Sequence, residues 1–544
     1  MVKKNDRLVV NIEDIGTNGE GIGKHEGYTL FIKDTTIGDK ALVKVIKTGK
    51  SYGYARLVSI EEPSPYRVKP RCPIADKCGG CQIMHMDYKK QLEYKEDKVR
   101  NCLSRIGGFK NIPMEPICGM DQPYYYRNKS QVPVGRDKDG KINIGFYAGR
   151  THHIIDTDHC YISAEVNTPI IKYLRSFIEK HKIEPYDEVN HTGLLRHILI
   201  RVGYSSGEVM VCLVINGKDI PHKKELIQGL RKIPGMKSIC LNVNTSKTNA
   251  ILGDQIIKVW GEPYIIDSIG NVKYQISPLS FFQVNPIQTE KLYNIALDYA
   301  DLNGDEVVWD LYCGIGTISL FLAQRAKQVY GVEIIPQAIE DAKTNAKINN
   351  INNAKFYVGA AEEVLPRKYK EDNIKADVIV VDPPRKGCDE SLLATILDMA
   401  PEKIVYVSCN PATLARDLKY LADGGYELKK VKPVDQFGHS VHVETVVLLS
   451  QQKPSDKIEV DLDLDEMDVT SAETKSTYAE IRDYVLKEHG LKVSNLYISQ
   501  VKRKCGIEIG ENDNLAKSED AKQPSCPEEK EKAIKEALKH FGMI

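Results

Sequence analysis

With 544 residues the chain is too long for one hydrophobic core, because domains usually run to roughly 100–200 residues, so about three or four are expected. Lysine plus arginine and aspartate plus glutamate each number 75, and a net charge of zero excludes a globally basic nucleic-acid binder but not a local basic patch. No run approaches the roughly 18 apolar residues of a membrane span and MVKKNDRLVV lacks a signal-peptide core, so a cytoplasmic protein without membrane contact is expected.

Residues 1–61 alternate short β-type runs (RLVVNIEDI, YTLFIKD, KALVKVIKT, YGYARLVSI) with glycine-rich turns, the pattern of a small barrel of about five strands. Between Lys40 and Arg56 lie Lys44, Lys47 and Lys50, no acid, and the interleaved Tyr52 and Tyr54. Basic side chains can follow phosphates while aromatics stack on bases, so single-stranded or looped RNA is the expected partner. The alternative is a solvated basic face on a small barrel.

The prolines of EEPSPYRVKP mark a linker, which leads into CPIADKCGGC. A charged helix over about 88–109, DYKKQLEYKEDKVRNCLSRIGG, follows and ends at Gly107 and Gly108; it is a candidate to pack on the domain beginning near 271. From about 123 to 270 the runs are strand-rich and irregular, including RHILIRVGY and EVMVCLVIN, so 62–270 is expected to form a mixed α+β central domain.

From 271 to 451 apolar strands alternate with amphipathic helices: VVWDLY, then CGIGT and ISLFLAQRA; VYGVE, then PQAIEDAKTNAKI; then KFYVG, ADVIVVD and KIVYVSC, each with a helical segment behind it. That order predicts a parallel, doubly wound α/β sheet, closed by a hairpin of YELKKVKPVD and HVETVVLLS. Residues 452–470 read as an acidic linker and 471–544 as a separate helical module. In that module Thr477 with Glu480 makes a capping box, Gly490 stops the first helix, Ser494 caps SNLYISQVKRKCG, and a last helix begins near Pro527. Lys502, Arg503 and Lys504 on the second helix fit either a helix-turn-helix or a bundle with a solvated basic face.

Three features of the α/β segment point to one ligand site. Gly314 and Gly316 in CGIGT let the backbone approach a ligand at the carboxyl end of the sheet, although that turn alone is a weak signal. Glu333 ends the second strand, where an acid can hold two ribose hydroxyls. Asp382 ends the fourth, before the rigid turn PPRKG. In this order they resemble the Rossmann-like S-adenosylmethionine methyltransferase fold rather than a dehydrogenase.

The strand KIVYVSC runs into Asn410 and Pro411, which sets Cys409 at a strand end on the cofactor edge. Carbon 5 of a pyrimidine is a poor nucleophile, and adding a thiolate to carbon 6 makes it enolate-like and able to take a sulfonium methyl. A base must then remove the carbon 5 proton. In DQFGHSVHVET the candidates are His439, His442 and Glu444, between which the residues alone do not decide.

Cys72, Cys78 and Cys81 are spaced C-x5-C-x2-C, too close for chance in a reducing compartment, and they want a fourth ligand from Cys102, Cys118 or Cys160. All-thiolate coordination suits structural zinc or an iron–sulfur cluster, and the spacing favours neither.

LSFFQVNP, DLYCGIGT, VDPPRKG, SCNP and HVET, in this order over 271–451, resemble the RNA uracil-5-methyltransferase family, and 1–61 resembles its TRAM RNA-binding domain. The resemblance implies Cys409 as nucleophile, Glu444 as base, and Gln283, Tyr312, Glu333 and Asp382 as contacts of S-adenosylmethionine. It also implies a [4Fe-4S] cluster on Cys72, Cys78, Cys81 and Cys160 within the central domain. Members with both barrel and cysteines resemble the 23S ribosomal RNA enzymes, so a monomer making 5-methyluridine in 23S rRNA is expected, with a transfer RNA enzyme as the alternative. Cys388 is a rival nucleophile, because RNA cytosine-5-methyltransferases carry a cysteine just after the Asp-Pro turn; here Arg385, Lys386 and Gly387 intervene. From a different class, a non-catalytic RNA-binding protein with a redox-sensing cluster would need neither Cys409 nor Glu444.

Overall fold

The computed structural model describes residues 2–149, 151–452, 478–505, 507, 526–541 and 543–544. The expected acidic linker and Thr477 of the capping box lie outside the described residues. Chain contacts divide the protein into one unit, Met1–Lys453, and a second, Pro454–Ile544.

The first unit begins with the strands Arg7–Ile15, Gly21–His25, Tyr28–Ile32, Lys40–Thr48 and Tyr52–Glu62, closed into a barrel in the order first, second, third, fifth, fourth. Alternation fills it: Val10, Ile12, Leu30, Ile32, Val43 and Val45 point inward, and their neighbours face out. Gly21 cannot be larger, since a Cβ there would come within 2.1 Å of the Thr35 hydroxyl. On the outside Phe31, Tyr52 and Tyr54 form an aromatic cluster with centroids 5.7–5.9 Å apart.

A seven-stranded sheet follows in the order Gln255–Gly261, Met236–Val243, Val209–Ile215, Leu195–Val202, Lys129–Arg136, Ile142–Tyr147, Ile154–Asp156. The helices Asn167–Lys180 and Lys223–Leu230 bury Ile170, Leu174, Leu226 and Leu230 against it. The helix Tyr88–Arg105 starts at Asp87, whose carboxylate caps the amides of Lys89 and Lys90. It packs away from this sheet, with Val99 and Leu103 in one core with Leu414 and Leu418 of the helix Pro411–Asp423. Its Lys95, fully buried, pairs with the fully buried Asp435 at 2.5 Å.

The second seven-stranded sheet runs Ala354–Val358, Gln328–Glu333, Val307–Leu311, Val378–Val381, Lys403–Ser408, Glu444–Gln451, Tyr426–Val434. The first five strands are parallel, and the last two join antiparallel. Both faces are buried, so the strands are continuous apolar runs: Val380 and Val405 face one core, Ile379, Val381, Ile404 and Tyr406 the other. The hairpin of Ile265–Ile269 and Val272–Ile276 packs into the first of these cores, so this layer begins a few residues before 271.

The second unit contains the helices Tyr478–His489, Asn495–Lys504 and Glu528–His540 around Ile481, Val485, Ile498, Val501, Ile534 and Leu538. Ser494 caps the second helix through the Tyr497 amide, and Gly490, at φ +66°, follows the first. Of the basic run on the second helix, Lys502 is buried and Lys504 pairs with Glu531 at 2.5 Å. Among the described residues no helix is long and apolar enough to cross a membrane.

Candidate active site

The parallel strands of the second sheet all end on one edge, and beyond it lies a cavity of about 690 Å³. That is the size range of cofactor sites, in the place where open α/β sheets bind ligands. Gln283, Tyr312, Glu333, Asp382, Cys409 and Glu444 all line it.

The turn after Val307–Leu311 builds one wall of the cavity. Tyr312 is held at φ +73°, a left-handed conformation that costs energy in a bulky residue and tends to mark functional sites. Its amide and that of Cys313 both donate to the Val332 carbonyl, tying the turn to the neighbouring strand. Glu333 accepts from the amides of Gly314 at 3.2 Å and Ile335 at 3.0 Å, so backbone fixes its carboxylate. Burial pushes the carboxyls of Asp310 and Asp382 up to about 7 each, Asp382 also feeling the charge of Asp310. Ile334 and Ile335 are exposed on the cavity wall and offer apolar surface to a flat ring. Gln283 comes from a loop held by the central sheet: Asn128 Nδ2 donates to its carbonyl at 3.0 Å and the Asn128 amide to Val284 at 2.8 Å.

Cys409 follows the strand Lys403–Ser408 and stands two residues before the helix Pro411–Asp423. Asn410 caps that helix by accepting from the Ala412 amide, and Pro411 fills the first helical position, which explains SCNP. The thiol therefore sits beside a helix N-terminus, whose partial positive charge favours thiolate. Burial nonetheless pushes it up to about 11, with the Glu444 and Asp382 charges adding to the rise and Arg385 opposing it. Glu444 is buried and pushed up to about 8, by burial first and Asp382 second, again opposed by Arg385. Arg385 is held in turn: its carbonyl accepts from Asn410 Nδ2 at 3.0 Å and the Thr413 hydroxyl at 3.2 Å.

The rivals separate. Cys388 is buried outside the cavity, its amide donating to Asp417, and its thiol is pushed up to about 12. His439, at φ +67°, turns its ring to Gln91 and Tyr124 and does not line the cavity. His442 does line it, pushed down to about 4 by burial and the nearby Arg385, Lys98 and Lys95. Asp310, Ile334, Ile335, Arg385 and Phe437 are site residues that the motifs did not single out, although Asp310 and Arg385 stand inside two of the quoted ones.

A second cavity, about 460 Å³, adjoins the first and shares Arg385, Phe437 and His442 with it. Cys72, Cys78, Cys81 and Cys160 all line it, and burial plus the other three thiols push Cys81 well above the ordinary thiol range. Of the rival fourth ligands, Cys102 packs beside the core under Tyr88–Arg105, and Cys118 bridges to Val434. Four thiols on one wall fit zinc or an iron–sulfur cluster in donor type. Among the described residues, however, no three Cys, His, Asp or Glu side chains are gathered so as to hold a metal ion.

The profile of the tRNA (uracil-5-)-methyltransferase family matches residues 87–452, and that of the TRAM domain matches residues 2–58. An uncharacterized RNA methyltransferase of Clostridium tetani is 54% identical over 450 residues, 82% of this chain and 97% of that one. One from Halalkalibacterium halodurans is 52% identical over 449 residues, 82% of this chain and 98% of that one. The solved structure of Pyrococcus abyssi tRNA (uracil-54, C5)-methyltransferase with S-adenosyl-L-homocysteine superposes with a TM-score of 0.66 at 30% identity, covering 82% of this chain and all (100%) of that one. The chain belongs to the tRNA (uracil-5-)-methyltransferase family, S-adenosylmethionine-dependent RNA methyltransferases, and carries a TRAM barrel at its start.

Proposed function

We propose that the chain methylates carbon 5 of a uridine in 23S ribosomal RNA, with Cys409 as covalent nucleophile and Glu444 as base. The observation that carries this reading is the meeting of one thiol and one raised carboxyl beside Arg385 in the cofactor cavity. The Cys409 thiolate adds to carbon 6 of the uracil, and the ring electrons collect on carbon 5 and its neighbouring carbonyl. Gln283, Tyr312, Glu333 and Asp382 would hold S-adenosylmethionine, which would supply an electrophilic methyl group to that carbon. Glu444 then takes the carbon 5 proton, and the electron pair it leaves expels Cys409 as thiolate. Arg385 steadies both anions.

We further propose that Cys72, Cys78, Cys81 and Cys160 hold a [4Fe-4S] cluster in a structural or RNA-positioning role, since methyl transfer needs no electron. Anaerobically purified protein should be brown, with iron and acid-labile sulfide; colourless protein with stoichiometric zinc would refute this.

Ribosomal RNA is favoured by the barrel and cysteine cavity together. Transfer RNA is the second reading, favoured by the Pyrococcus abyssi enzyme. Incubating separate unmodified 23S and transfer RNA transcripts with labelled donor tests the choice: label in 23S RNA supports the first reading, label confined to transfer RNA the second.

A further inference from the structure

A third cavity, about 660 Å³, opens in the central domain between the strands Ile142–Tyr147 and Leu195–Val202 and the loop 184–193. It shares Tyr147 and His197 with the cysteine cavity, which shares Arg385, Phe437 and His442 with the catalytic one. The third cavity is therefore linked to the catalytic one through walls that both share with the cysteine cavity.

The walls of this cavity suit a flat ring. Tyr147 and His152 stack with centroids 5.2 Å apart and planes at 27°. Arg196 lies 4.2 Å from the Tyr186 ring centre, its guanidinium fixed by the carbonyls of Asn244 and Ser246 at 3.0 and 2.7 Å. His197 is only 5% exposed, and its Nδ1 has no hydrogen-bond partner. Buried polar atoms are nearly always paired, so an orphan on a cavity wall points to a partner brought by a ligand.

Charge decides what kind of ring. Arg136 is already bidentate on Glu184 at 3.0 Å, and Arg196 is spent on backbone carbonyls. Asp187 and Glu188 add further negative charge, so a phosphate is repelled. Glu188 lies at the edge of the stacked pair, accepting from the Tyr147 hydroxyl at 3.4 Å and meeting His152 Nδ1 at 2.6 Å. A carboxylate beside an aromatic platform accepts the exocyclic amino group of a base, which uracil lacks.

We propose that this cavity is a second base subsite, taking an adenine, guanine or cytosine splayed out of the RNA strand that flanks the target uridine. This rests on the reading of the chain as an enzyme acting on RNA. The test uses the full chain and fluorescein-labelled 12-nucleotide oligo(A), oligo(C) and oligo(U), with binding read by anisotropy. His152→Ala and Glu188→Ala stand at exposed positions and should leave folding intact. Each should weaken oligo(A) and oligo(C) at least about fivefold, as loss of one stacked base implies, and leave oligo(U) unchanged. Unchanged affinity for all three, or equal loss for all three, overturns the subsite. Because oligo(A) carries no uridine, the selective loss would uphold the subsite even if the parent chain methylated no RNA, an outcome that would instead sink the reaction assignment.

Discussion

Cys409 and Glu444 stand one residue beyond Ser408 and Thr445, the last registered pair of the antiparallel ladder between Lys403–Ser408 and Glu444–Gln451. The thiol, one residue past its strand, and the carboxyl, at the start of the neighbouring one, therefore stand side by side on the sheet edge that faces the cavity. The paired strands behind them set their separation, as the proposed reaction, with two groups acting in sequence on adjacent ring carbons, requires.

Their division of labour is separable by mutation. Cys409→Ala should lower turnover by at least about a thousandfold and form no adduct with RNA. Glu444→Gln should also stop release of product, yet accumulate enzyme covalently joined to methylated RNA. Denaturing gels with labelled donor read both: a labelled high-mass band for Glu444→Gln and none for Cys409→Ala. A Glu444→Gln enzyme that releases product normally would reassign the base to His442.

The pH dependence follows from the same burial. Glu444 accepts a proton only when ionised and is raised to about 8, so product release should climb about tenfold per pH unit below that value and level off above it. Arg385 lowers both Glu444 and Cys409, so Arg385→Gln should move the rising limb to higher pH. Decay of the pre-formed methylated RNA adduct across pH 6–9.5, roughly the window around that midpoint, checks it, because it isolates the Glu444 step from thiolate addition; a limb unmoved in Arg385→Gln contradicts the assignment.

Glu444 also makes stability depend on pH. The folded state holds its proton up to about 8, whereas the unfolded chain releases it at the ordinary 4.5, so stability falls as pH rises through that window and is level above it. Glu444→Gln removes this loss. The inactive variant should therefore unfold at higher denaturant than the parent at pH 8.5, by up to a few kcal/mol, and at about the same denaturant near pH 4.

Lys95 joins the long helix to the catalytic loop. Its ammonium donates to Asp435 and to the Phe437 carbonyl at 2.9 Å, while Asp435 also accepts from the Tyr88 hydroxyl at 2.7 Å. Lys95→Met leaves a buried carboxylate without its cation and should cost roughly 3–5 kcal/mol in denaturant unfolding. Because Phe437 and His442 line the active cavity, kcat/KM should fall as well.

Much of this site was legible because its motifs are short and lie at element ends. CGIGT, DPPR and SCNP each join a strand to a following turn or helix, so local pattern put Gly314, Asp382 and Cys409 on one edge, whereas Tyr312 and Gln283 came only from the family resemblance. Glu444 was not separable from His439 by sequence, since the left-handed turn that sends His439 toward Gln91 depends on the helix Tyr88–Arg105, more than 300 residues away. Spacing alone likewise left Cys102, Cys118 and Cys160 open, and the choice of Cys160 came from the family resemblance. Cys78 and Cys160 meet on one cavity wall through long-range pairings such as the Cys78–Ala148 bridge, which periodicity does not reveal. Arg385 figured in VDPPRKG only as a spacer ahead of Cys388, because its charge bears on a carboxyl and a thiol brought in by other segments of the chain.

The most direct test of the Cys409 reaction is nucleoside mass spectrometry of unmodified RNA incubated with the protein and deuteromethyl-labelled donor. The account predicts labelled 5-methyluridine with the parent enzyme and none with Cys409→Ala. Label on any other nucleoside, or 5-methyluridine formed by Cys409→Ala, would contradict it.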